Sequence, residues 1–499
     1  MNLQKVTNKN MTSTFQINPN AKGTCPTARP VFFFPGWGFD GRIIELAPAT
    51  PAWVYPAGLV DPCSIIDNLI RFLEKKRILQ IDLVGWSMGA NLALDFARAY
   101  PKKVACLYLI SIRREWPGSE IEQIRAELAR DPAAFLISFY RKCFLGYRNA
   151  YDRFVSGFQE DSINNINISI LNNGLDYLKR VRVDDVRIDL LSGMEVHLIH
   201  GRRDIIAPMD QMPELSGAGR EILDQEGHLP FLSRNFSLPW ERRKKIIRRR
   251  FSRAADTYDD YAPVQREAAL KLADWLDPGM KAGSILEIGC GTGNFTASLT
   301  KRFPEADILA LDFSKAMIEI AERKLASYGN VTLKCRDAEH FLAETNKSYD
   351  LIASNTTMQW FEAIDTAFAS ISDRLNDNGL FLCSIFGPET LNELGKGLAS
   401  LKGREIRIVS GRFCAKDDLK VLLENCFTSV KIKEFRIIRE YDSLRDLLTT
   451  IKKTGAAGWR NSSQPVLTRG RLERLDKWFA EQNQGYHVTY QVFIIRCLK

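Results

Sequence analysis

Short apolar runs alternate with longer segments of helical periodicity along most of the chain. The runs are rich in Val, Ile, Leu and Phe, and they fall into an early and a late series. We expect strands in the early series at Val31 to Phe34, Ile81 to Gly85, Ala105 to Ile110 and Val196 to His200, and in the late series at Ile285 to Ile288, Ile308 to Leu311, Leu351 to Ser354 and Gly379 to Ile385. This alternation is typical of mostly parallel sheets covered by helices, so the predicted fold class is α/β.

The early series is interrupted between about Arg113 and Arg187. Apolar residues recur there near helical spacing, which predicts a helical insertion, or lid, over about 113–187. The basic segment Arg242 to Arg250 separates the two series, and such a segment is more often a solvated helix than a binding patch. We therefore predict a polar N-terminal tail over 1–28, a first domain over 29–240 and a second over 241–499.

Composition narrows the class of protein. A chain of 499 residues with 45% hydrophobic and 26% charged residues fits two ordinary globular domains. Its ten cysteines form no CxxC pair and no Cys/His spacing suited to zinc, so we expect reduced thiols and no metal site. No apolar run approaches the length of a membrane span and the N-terminus lacks the core of a secretory signal, so we predict a cytoplasmic protein with no membrane partner.

A strand that leads into a glycine-edged turn and a helical run is the main chemical pattern of the first half. In IDLVGWSMGANLAL, Ser87 lies between Gly85 and Gly89. A nucleophile elbow has this strand, turn and helix context, because the flanking glycines permit a crowded turn that exposes the serine. We therefore predict that Ser87 is a catalytic nucleophile.

An elbow serine requires an acid and a histidine later in the chain. VHLIHGRRDIIAP provides Asp204 just past a late strand, and ILDQEGHLPF provides His228 in a glycine-bearing loop. The predicted triad is Ser87, Asp204 and His228. The predicted oxyanion hole uses the backbone N–H groups of Met88 and of Trp37, the latter in the early loop FPGWGFD.

The second half contains ILEIGCGTG, an apolar strand that runs directly into a glycine-rich turn and a helix. Gly289, Gly291 and Gly293 let the backbone approach a ligand closely, which predicts that all three are cofactor-binding. Their spacing differs from the GxGxxG pattern of nicotinamide-binding folds.

Carboxylates accompany this turn at successive strand ends. Glu287 lies within the motif, Asp312 follows the next strand and Asp337 follows the third. A carboxylate at the second position can accept two ribose hydroxyls, and one at the third can accept an adenine amino group. Asp312 and Asp337 are therefore the predicted nucleoside-binding side chains, and all three acids are predicted to bind the cofactor.

LEIGCGTG resembles the first motif of the class I (Rossmann-like) S-adenosylmethionine methyltransferases, and the likeness extends over almost all of residues 250 to 499. The resemblance implies that S-adenosylmethionine is the cofactor and that Glu287 fixes its methionine end. Four further segments are similar to the malonyl-acyl-carrier-protein O-methyltransferases of biotin synthesis (BioC type): FSRAADTYDDYAPVQ, SNTTMQWF, LNELG and LLTTIKKTGA. This finer resemblance implies methylation of the free carboxylate of a malonyl thioester.

Two residues are candidates for the methyl-acceptor pocket that this resemblance implies. Tyr258 lies in the helix expected to cap the cofactor, although simple packing explains a tyrosine there equally well. Arg253 could pair with the acceptor carboxylate, or it could balance the neighbouring acids.

PGWGFD and GWSMGANLALDFARAYPKKV resemble α/β-hydrolases, in particular the esterases of biotin synthesis that cleave pimeloyl-acyl-carrier-protein methyl ester (BioH and BioG types), over about residues 30 to 235. The common HG dipeptide of that superfamily is replaced here by Pro35 and Gly36. In the lid, cations could contact an acidic carrier protein, although a solvated helix face explains them better; they are Arg141, Lys142, Arg148 and Arg153.

Together the two halves predict one enzyme that adds a methyl group to malonyl-acyl-carrier protein and removes it from pimeloyl-acyl-carrier protein. Two alternatives stay open: a hydrolase-like module that only binds the carrier protein, and an esterase and methyltransferase pair acting on another acyl intermediate. The net charge of +9 also raises the question of nucleic acid. We disfavour that partner because the basic segment has no interleaved aromatic residues and the chain has no base-flipping motif.

Overall fold

The computed structural model describes residues 15–17, 29–48, 53–76, 78–183, 194–215, 217–234, 236–401, 408–456, 468–483 and 485–499. The chain divides into two compact units, Met1–Ser237 and Leu238–Lys499. The sequence-based boundary at 240/241 falls three residues later, inside the first helix of the second unit, which begins at Pro239.

The described strands of the first unit form one sheet in the order β1-β3-β2-β4-β5-β6-β7. All neighbouring strands are parallel except β1 and β3, which are antiparallel. The strands are β1 (Phe15–Ile17), β2 (Val31–Phe34), β3 (Val54–Pro56), β4 (Ile81–Trp86), β5 (Val104–Ile110), β6 (Glu195–Gly201) and β7 (Gly219–Leu223). Every residue of β2 and β4 is buried, which explains why these runs are continuously apolar rather than alternating.

Part of the predicted polar tail is strand rather than tail. Residues 15–17 form β1, and Phe15 is 1% exposed because its ring packs against Phe32 and Phe72. An isolated phenylalanine in a polar stretch carries no periodic signal, so only the tertiary contact reveals this strand. The rest of residues 1–28 lies outside the described residues.

The helices of the first unit cover this sheet and form the insertion. They are α1 (Ile65–Lys75), α2 (Met88–Ala99), α3 (Gly118–Arg130), α4 (Pro132–Cys143), α5 (Arg148–Phe154), α6 (Glu160–Asn164) and α7 (Ile168–Arg180), with a π-helical turn over Val155–Gln159. Helices α3 to α7 lie within the predicted lid, and its last four residues, 184–187, lie outside the described residues. Asp131 and Asn167 cap α4 and α7 by accepting backbone N–H groups of the first turn.

The described strands of the second unit form a sheet in the order β10-β9-β8-β11-β12-β14-β13. Pairing is parallel from β10 to β12, and β14 is antiparallel to both β12 and β13. The strands are β8 (Ser284–Ile288), β9 (Asp307–Asp312), β10 (Val331–Cys335), β11 (Tyr349–Asn355), β12 (Leu375–Phe386), β13 (Ser429–Glu440) and β14 (His487–Leu498). The carboxyl ends of β8, β9 and β10 therefore lie side by side.

Helices of the second unit are α8 (Pro239–Ala254), α9 (Tyr258–Tyr261), α10 (Pro263–Ala273), α11 (Asn294–Arg302), α12 (Lys315–Leu325), α13 (Ala338–Glu344), α14 (Ile364–Asp373), α15 (Asn392–Ser400), α16 (Lys416–Glu424), α17 (Leu444–Lys453) and α18 (Arg469–Glu481). The basic segment lies on α8, and it is not uniformly solvated. Arg243 pairs with Glu362, and Lys244 pairs with Asp337 and Glu339. Across the described residues, no helix is both long and apolar enough to cross a membrane.

Candidate active sites

Ser87 lies at the sharp turn between β4 and α2. Its backbone has φ 57° and ψ −121°, a conformation that non-glycine residues rarely adopt. The crowding explains both flanking glycines, because a Cβ at residue 85 would lie 2.3 Å from the carbonyl oxygen of Gly89, and a Cβ at residue 89 would lie 2.2 Å from that of Phe34. The turn therefore has the backbone geometry of a nucleophile elbow.

Asp204 and His228 meet in the first unit. His228 Nδ1 lies 2.8 Å from Asp204 Oδ2, and both side chains are buried. Asp204 Oδ1 accepts the backbone N–H groups of Ile206 and Ala207 at 2.9 and 2.8 Å. Burial by itself would raise the pKa of Asp204, but His228 and the Ala207 N–H hold that pKa below its ordinary value. The carboxylate is thus fixed and ionised beside the imidazole.

Three residues that sequence reasoning missed position the loop of His228. The indole N–H of Trp86 and the hydroxyl of Ser111 donate to the carbonyl oxygen of His228 at 2.7 and 3.1 Å. The Trp86 ring also lies 5.2 Å from the imidazole, directly before Ser87 in the chain. Tyr147 from the lid accepts the backbone N–H of Gly227 at 2.8 Å. Only the position of Trp86 within GWSMG gave a signal in the sequence.

The loop with Trp37 passes beside the elbow. A Cβ at Gly36 would lie 3.1 Å from the Cβ of Ser87, so the backbone of this loop borders the serine. The lid closes over the same place, because the Trp37 indole donates to the carbonyl oxygen of Leu171 at 2.9 Å. A Cβ at Gly174 of α7 would lie 2.5 Å from the Trp37 ring and 3.3 Å from the Met88 sulfur. Trp37 and Met88 therefore lie together under the lid, next to Ser87.

The glycine-rich turn of the second unit follows β8. Gly289, Gly291 and Gly293 all have positive φ, at 74°, 54° and 84°. The N–H groups of Gly289 and Cys290 both donate to the carbonyl oxygen of Leu311, which fixes the turn against the end of β9. A Cβ at Gly291 would meet no atom within 4 Å, so this backbone borders open space.

Glu287 and Asp312 lie buried beside the turn. Within the described part of the chain, neither carboxylate oxygen of Glu287 has a hydrogen bond of good geometry, although the nearby Thr296 hydroxyl partly offsets its desolvation. Burial raises the pKa of Glu287 to about 7. Asp312 accepts the N–H groups of Gly291 and Ser314 at 3.0 and 2.8 Å, yet burial still raises its pKa to about 6.

Asp337 borders the same cavity but already has a cationic neighbour. Its Oδ2 lies 2.6 Å from Lys244 Nζ of α8, and its Oδ1 accepts the N–H of Glu339 at 3.0 Å. Sequence reasoning missed Lys244, because the basic segment gave no indication of which cation faces inward. An adenine amino group at Asp337 would share this carboxylate with the lysine.

The structure separates the two acceptor candidates. Tyr258 lines the cavity with the glycine turn and the acids, and desolvation raises its pKa. Its neighbour Asp259 links α9 to the turn. The Asp259 carboxylate accepts hydrogen bonds from Thr292 Oγ1, Asn294 Nδ2 and Lys324 Nζ at 2.6, 2.8 and 2.6 Å. Arg253 instead lines an adjoining cavity.

The cavity at the glycine turn fits S-adenosylmethionine. It encloses about 960 Å³, part of it open to solvent, and Glu287, Gly291, Asp312 and Asp337 line it. The buried Glu287 carboxylate has no hydrogen bond of good geometry to any described residue and would pair with an ammonium group, whereas Asp312 and Asp337 at the next strand ends suit the nucleoside.

Sequence comparison identifies the second unit. A malonyl-[acyl-carrier protein] O-methyltransferase of Halalkalibacterium halodurans is 35% identical over 269 residues, which cover 51% of this chain and 98% of the relative. A relative with the same activity in its name, from Ilyobacter polytropus, is 36% identical over 233 residues, covering 47% and 88%. The chain belongs to the malonyl-[acyl-carrier protein] O-methyltransferase family. The methyltransferase-domain model matches residues 285–379.

The first unit matches a hydrolase family model instead. The alpha/beta hydrolase fold model matches residues 63–234. A thermophilic esterase from Thermogutta terrifontis is 18% identical with a TM-score of 0.36, covering 44% of this chain and 86% of that one; this similarity says nothing about activity. The chain is therefore a fusion of an α/β-hydrolase with an S-adenosylmethionine-dependent methyltransferase of the family named above, as the motifs predicted.

Proposed function

We propose that this chain is a bifunctional enzyme of biotin synthesis that acts on acyl-carrier-protein thioesters in the cytoplasm. The second unit methylates the free carboxylate of malonyl-acyl-carrier protein, and the first hydrolyses pimeloyl-acyl-carrier-protein methyl ester. The observation that carries the proposal is the presence, in one chain, of an elbow serine with a His228–Asp204 pair and of a methyltransferase unit from a malonyl-specific family.

For hydrolysis, Ser87 is the proposed nucleophile and His228 its base. His228 takes the hydroxyl proton as the serine oxygen attacks the ester carbonyl, and then gives that proton to the departing methoxide, so that methanol leaves. Water then attacks the acyl-enzyme: His228 takes a proton from the water and gives it to the Ser87 oxygen as the free acid leaves. Asp204 holds the imidazole and stabilises its cation, and the N–H groups of Trp37 and Met88 are the proposed donors to the oxyanion.

For methylation, the second unit has to bind the cofactor and the acceptor, align them with each other and exclude water. S-adenosylmethionine supplies an electrophilic methyl group on a sulfonium. Glu287, Asp312 and Asp337 would hold this cofactor, and the chemistry that it would supply is transfer of the methyl group to the acceptor carboxylate oxygen, with the sulfur as the leaving group. No proton moves, so alignment matters more than a base. Tyr258 is the proposed side chain that shapes the pocket, and Glu287, Asp312 and Asp337 the proposed nucleoside and amino-acid ligands.

One experiment tests both halves of this proposal. Wild-type protein should transfer labelled methyl to malonyl-acyl-carrier protein and release methanol from pimeloyl-acyl-carrier-protein methyl ester. Ser87→Ala should lower methanol release by at least about a thousandfold, because the nucleophile is lost, while methyl transfer continues. Methanol release at the wild-type rate in this variant would refute the role of Ser87.

The two alternatives give different results. A first unit that only binds the carrier protein would release no methanol and would not react with a fluorophosphonate at Ser87. A pair acting on another acyl intermediate would react with the fluorophosphonate but fail to support growth of biotin auxotrophs lacking either the methyltransferase or the esterase. Restored growth of both auxotrophs is the result that we expect.

A further inference from the structure

A second cavity of the methyltransferase unit adjoins the cofactor cavity. It encloses about 2260 Å³, part of it open to solvent. Gln265 and Trp360 line both cavities and therefore form their common wall. Trp360 makes edge-to-face contacts with Phe251 of the cofactor cavity at 5.8 Å and with Phe413 of the second cavity at 5.7 Å. A ligand in the second cavity would thus lie next to the cofactor.

The charged residues of the second cavity all have the same sign. Arg250, Arg253, Lys452 and Lys453 line it, and no Asp or Glu stands among the described residues that do so. Arg253 is exposed, and within the described part of the chain it makes no ion pair or hydrogen bond. A lining that holds four cations and, among its described residues, no carboxylate favours an anionic ligand.

These cations are grouped where the ends of α8 and α17 meet. The Thr257 hydroxyl, just past α8, lies 3.4 Å from the carbonyl oxygen of Lys453. A Cβ at Gly455 would lie 3.0 Å from the Cα of Phe251, whose side chain borders the cofactor cavity. The cations of the second cavity therefore lie beside Phe251, a residue that borders the cofactor cavity.

The remaining wall is mostly apolar. Leu394 and Leu398 of α15, with its N-cap residue Leu391, form one part of this wall, and Leu448 and Ile451 of α17 form another. Such a wall suits the less polar remainder of a ligand whose anionic group lies at the other end. The cavity thus has a cationic part beside Phe251 and a mostly apolar remainder.

We propose that this second cavity is the acceptor site, and that Arg253 binds the free carboxylate of the acyl thioester while the apolar wall holds the thioester and its pantetheine arm. The inference rests on the proposed function, since it names the site of that acceptor. Pairing with a guanidinium keeps the carboxylate anionic and beside the cofactor, which is the state that the displacement requires.

The test measures methyl transfer by the full chain to two acceptors: malonyl-acyl-carrier protein, and the malonyl thioester of N-acetylcysteamine, which has no phosphate. Arg253→Gln should raise KM at least about tenfold for both acceptors, because a hydrogen bond to a charged group is lost. Arg253→Lys should recover part of the loss, since it keeps the charge. Cofactor affinity, measured by calorimetry, should be unchanged in both variants.

Arg249→Gln is the matched control, because Arg249 is an exposed arginine of the same helix that lines neither cavity. Its KM should equal that of wild type. An unchanged KM in Arg253→Gln would overturn the assignment, and so would a defect that appears only with the phosphate-bearing acceptor. Wild-type protein that methylates neither thioester would overturn the proposed function as well, which distinguishes the two failures.

Discussion

The two candidate sites of this chain differ in how far their polar groups are satisfied before any ligand binds. In the hydrolase unit, each oxygen of Asp204 has a partner, and the neighbouring His228 holds the pKa of the Asp204 carboxyl below its ordinary value. In the methyltransferase unit, burial raises the pKa of Glu287 and of Asp312. The protein alone satisfies the carboxylate of the first site, whereas the second site keeps Glu287, a buried carboxylate with no hydrogen bond of good geometry among the described residues.

The largest expected effect follows from a change to the Asp204–His228 pair of the hydrolase unit. Asp204→Asn removes the negative charge beside His228 and disturbs the choice of imidazole tautomer, so we expect ester hydrolysis to fall about a thousandfold to ten-thousandfold. Methyl transfer, assayed in the same preparation, is the control. Hydrolysis within tenfold of wild type would contradict a catalytic role for this pair.

A smaller effect should follow when the lid is disturbed without touching the triad. Gly174→Val places a side chain where a Cβ already lies 2.5 Å from the Trp37 ring, so the Trp37 loop or α7 must move. We expect hydrolysis to fall about a hundredfold, since displacement of Trp37, a proposed oxyanion donor, would misalign the reaction. The exposed Gly157 in the π-helical turn of the lid, where a Cβ would meet nothing within 4 Å, supplies the comparison variant Gly157→Ala, which should leave hydrolysis unchanged.

Substitution of Glu287 in the methyltransferase unit should raise the stability of the ligand-free unit but lower its affinity for the cofactor. Glu287→Gln removes a buried charge, so the ligand-free second unit should unfold a few degrees higher at pH 8, by about 2 to 4 °C per kcal/mol gained. Cofactor affinity should fall about thirtyfold, because a charged hydrogen bond worth about 2 kcal/mol is lost. Calorimetry measures both quantities, and a variant that is less stable and binds normally would refute this view of Glu287.

The smallest expected effect is on pH dependence. The pKa of Glu287 is about 7 and that of Asp312 about 6, both above their ordinary values of 4.5 and 3.8. The folded ligand-free unit therefore holds protons that the unfolded chain has lost, so its stability should decrease as pH rises from about 4 to 7. Cofactor affinity should instead increase over about pH 5.5 to 7.5, by roughly tenfold, as the carboxylates ionise. A flat affinity profile in titration calorimetry would contradict the link between ionisation and binding.

Prediction from the sequence was most complete where chemistry depends on local backbone geometry. GWSMG and GCGTG each occupy one strand-to-helix turn, and the turns that the structure shows at Ser87 and at Gly289 are those that the glycines predicted. It was least complete where residues far apart in the chain meet. Ser111 and Tyr147 around the His228 loop, and Lys244 at Asp337, carry no periodic or motif signal of their own.

The sequence alone determined eight of the described strands, the two glycine turns and the acids at successive strand ends, because these features follow from local sterics and from hydrophobic periodicity. The tertiary structure decided which groups are buried together and which remain unsatisfied. In the folded units, Phe15 belongs to the first sheet and Lys244 forms an ion pair with Asp337. Tyr258 and Arg253 line two adjoining cavities. Burial and charge pairing depend on residues distant in the chain, so they appear only when the units are folded.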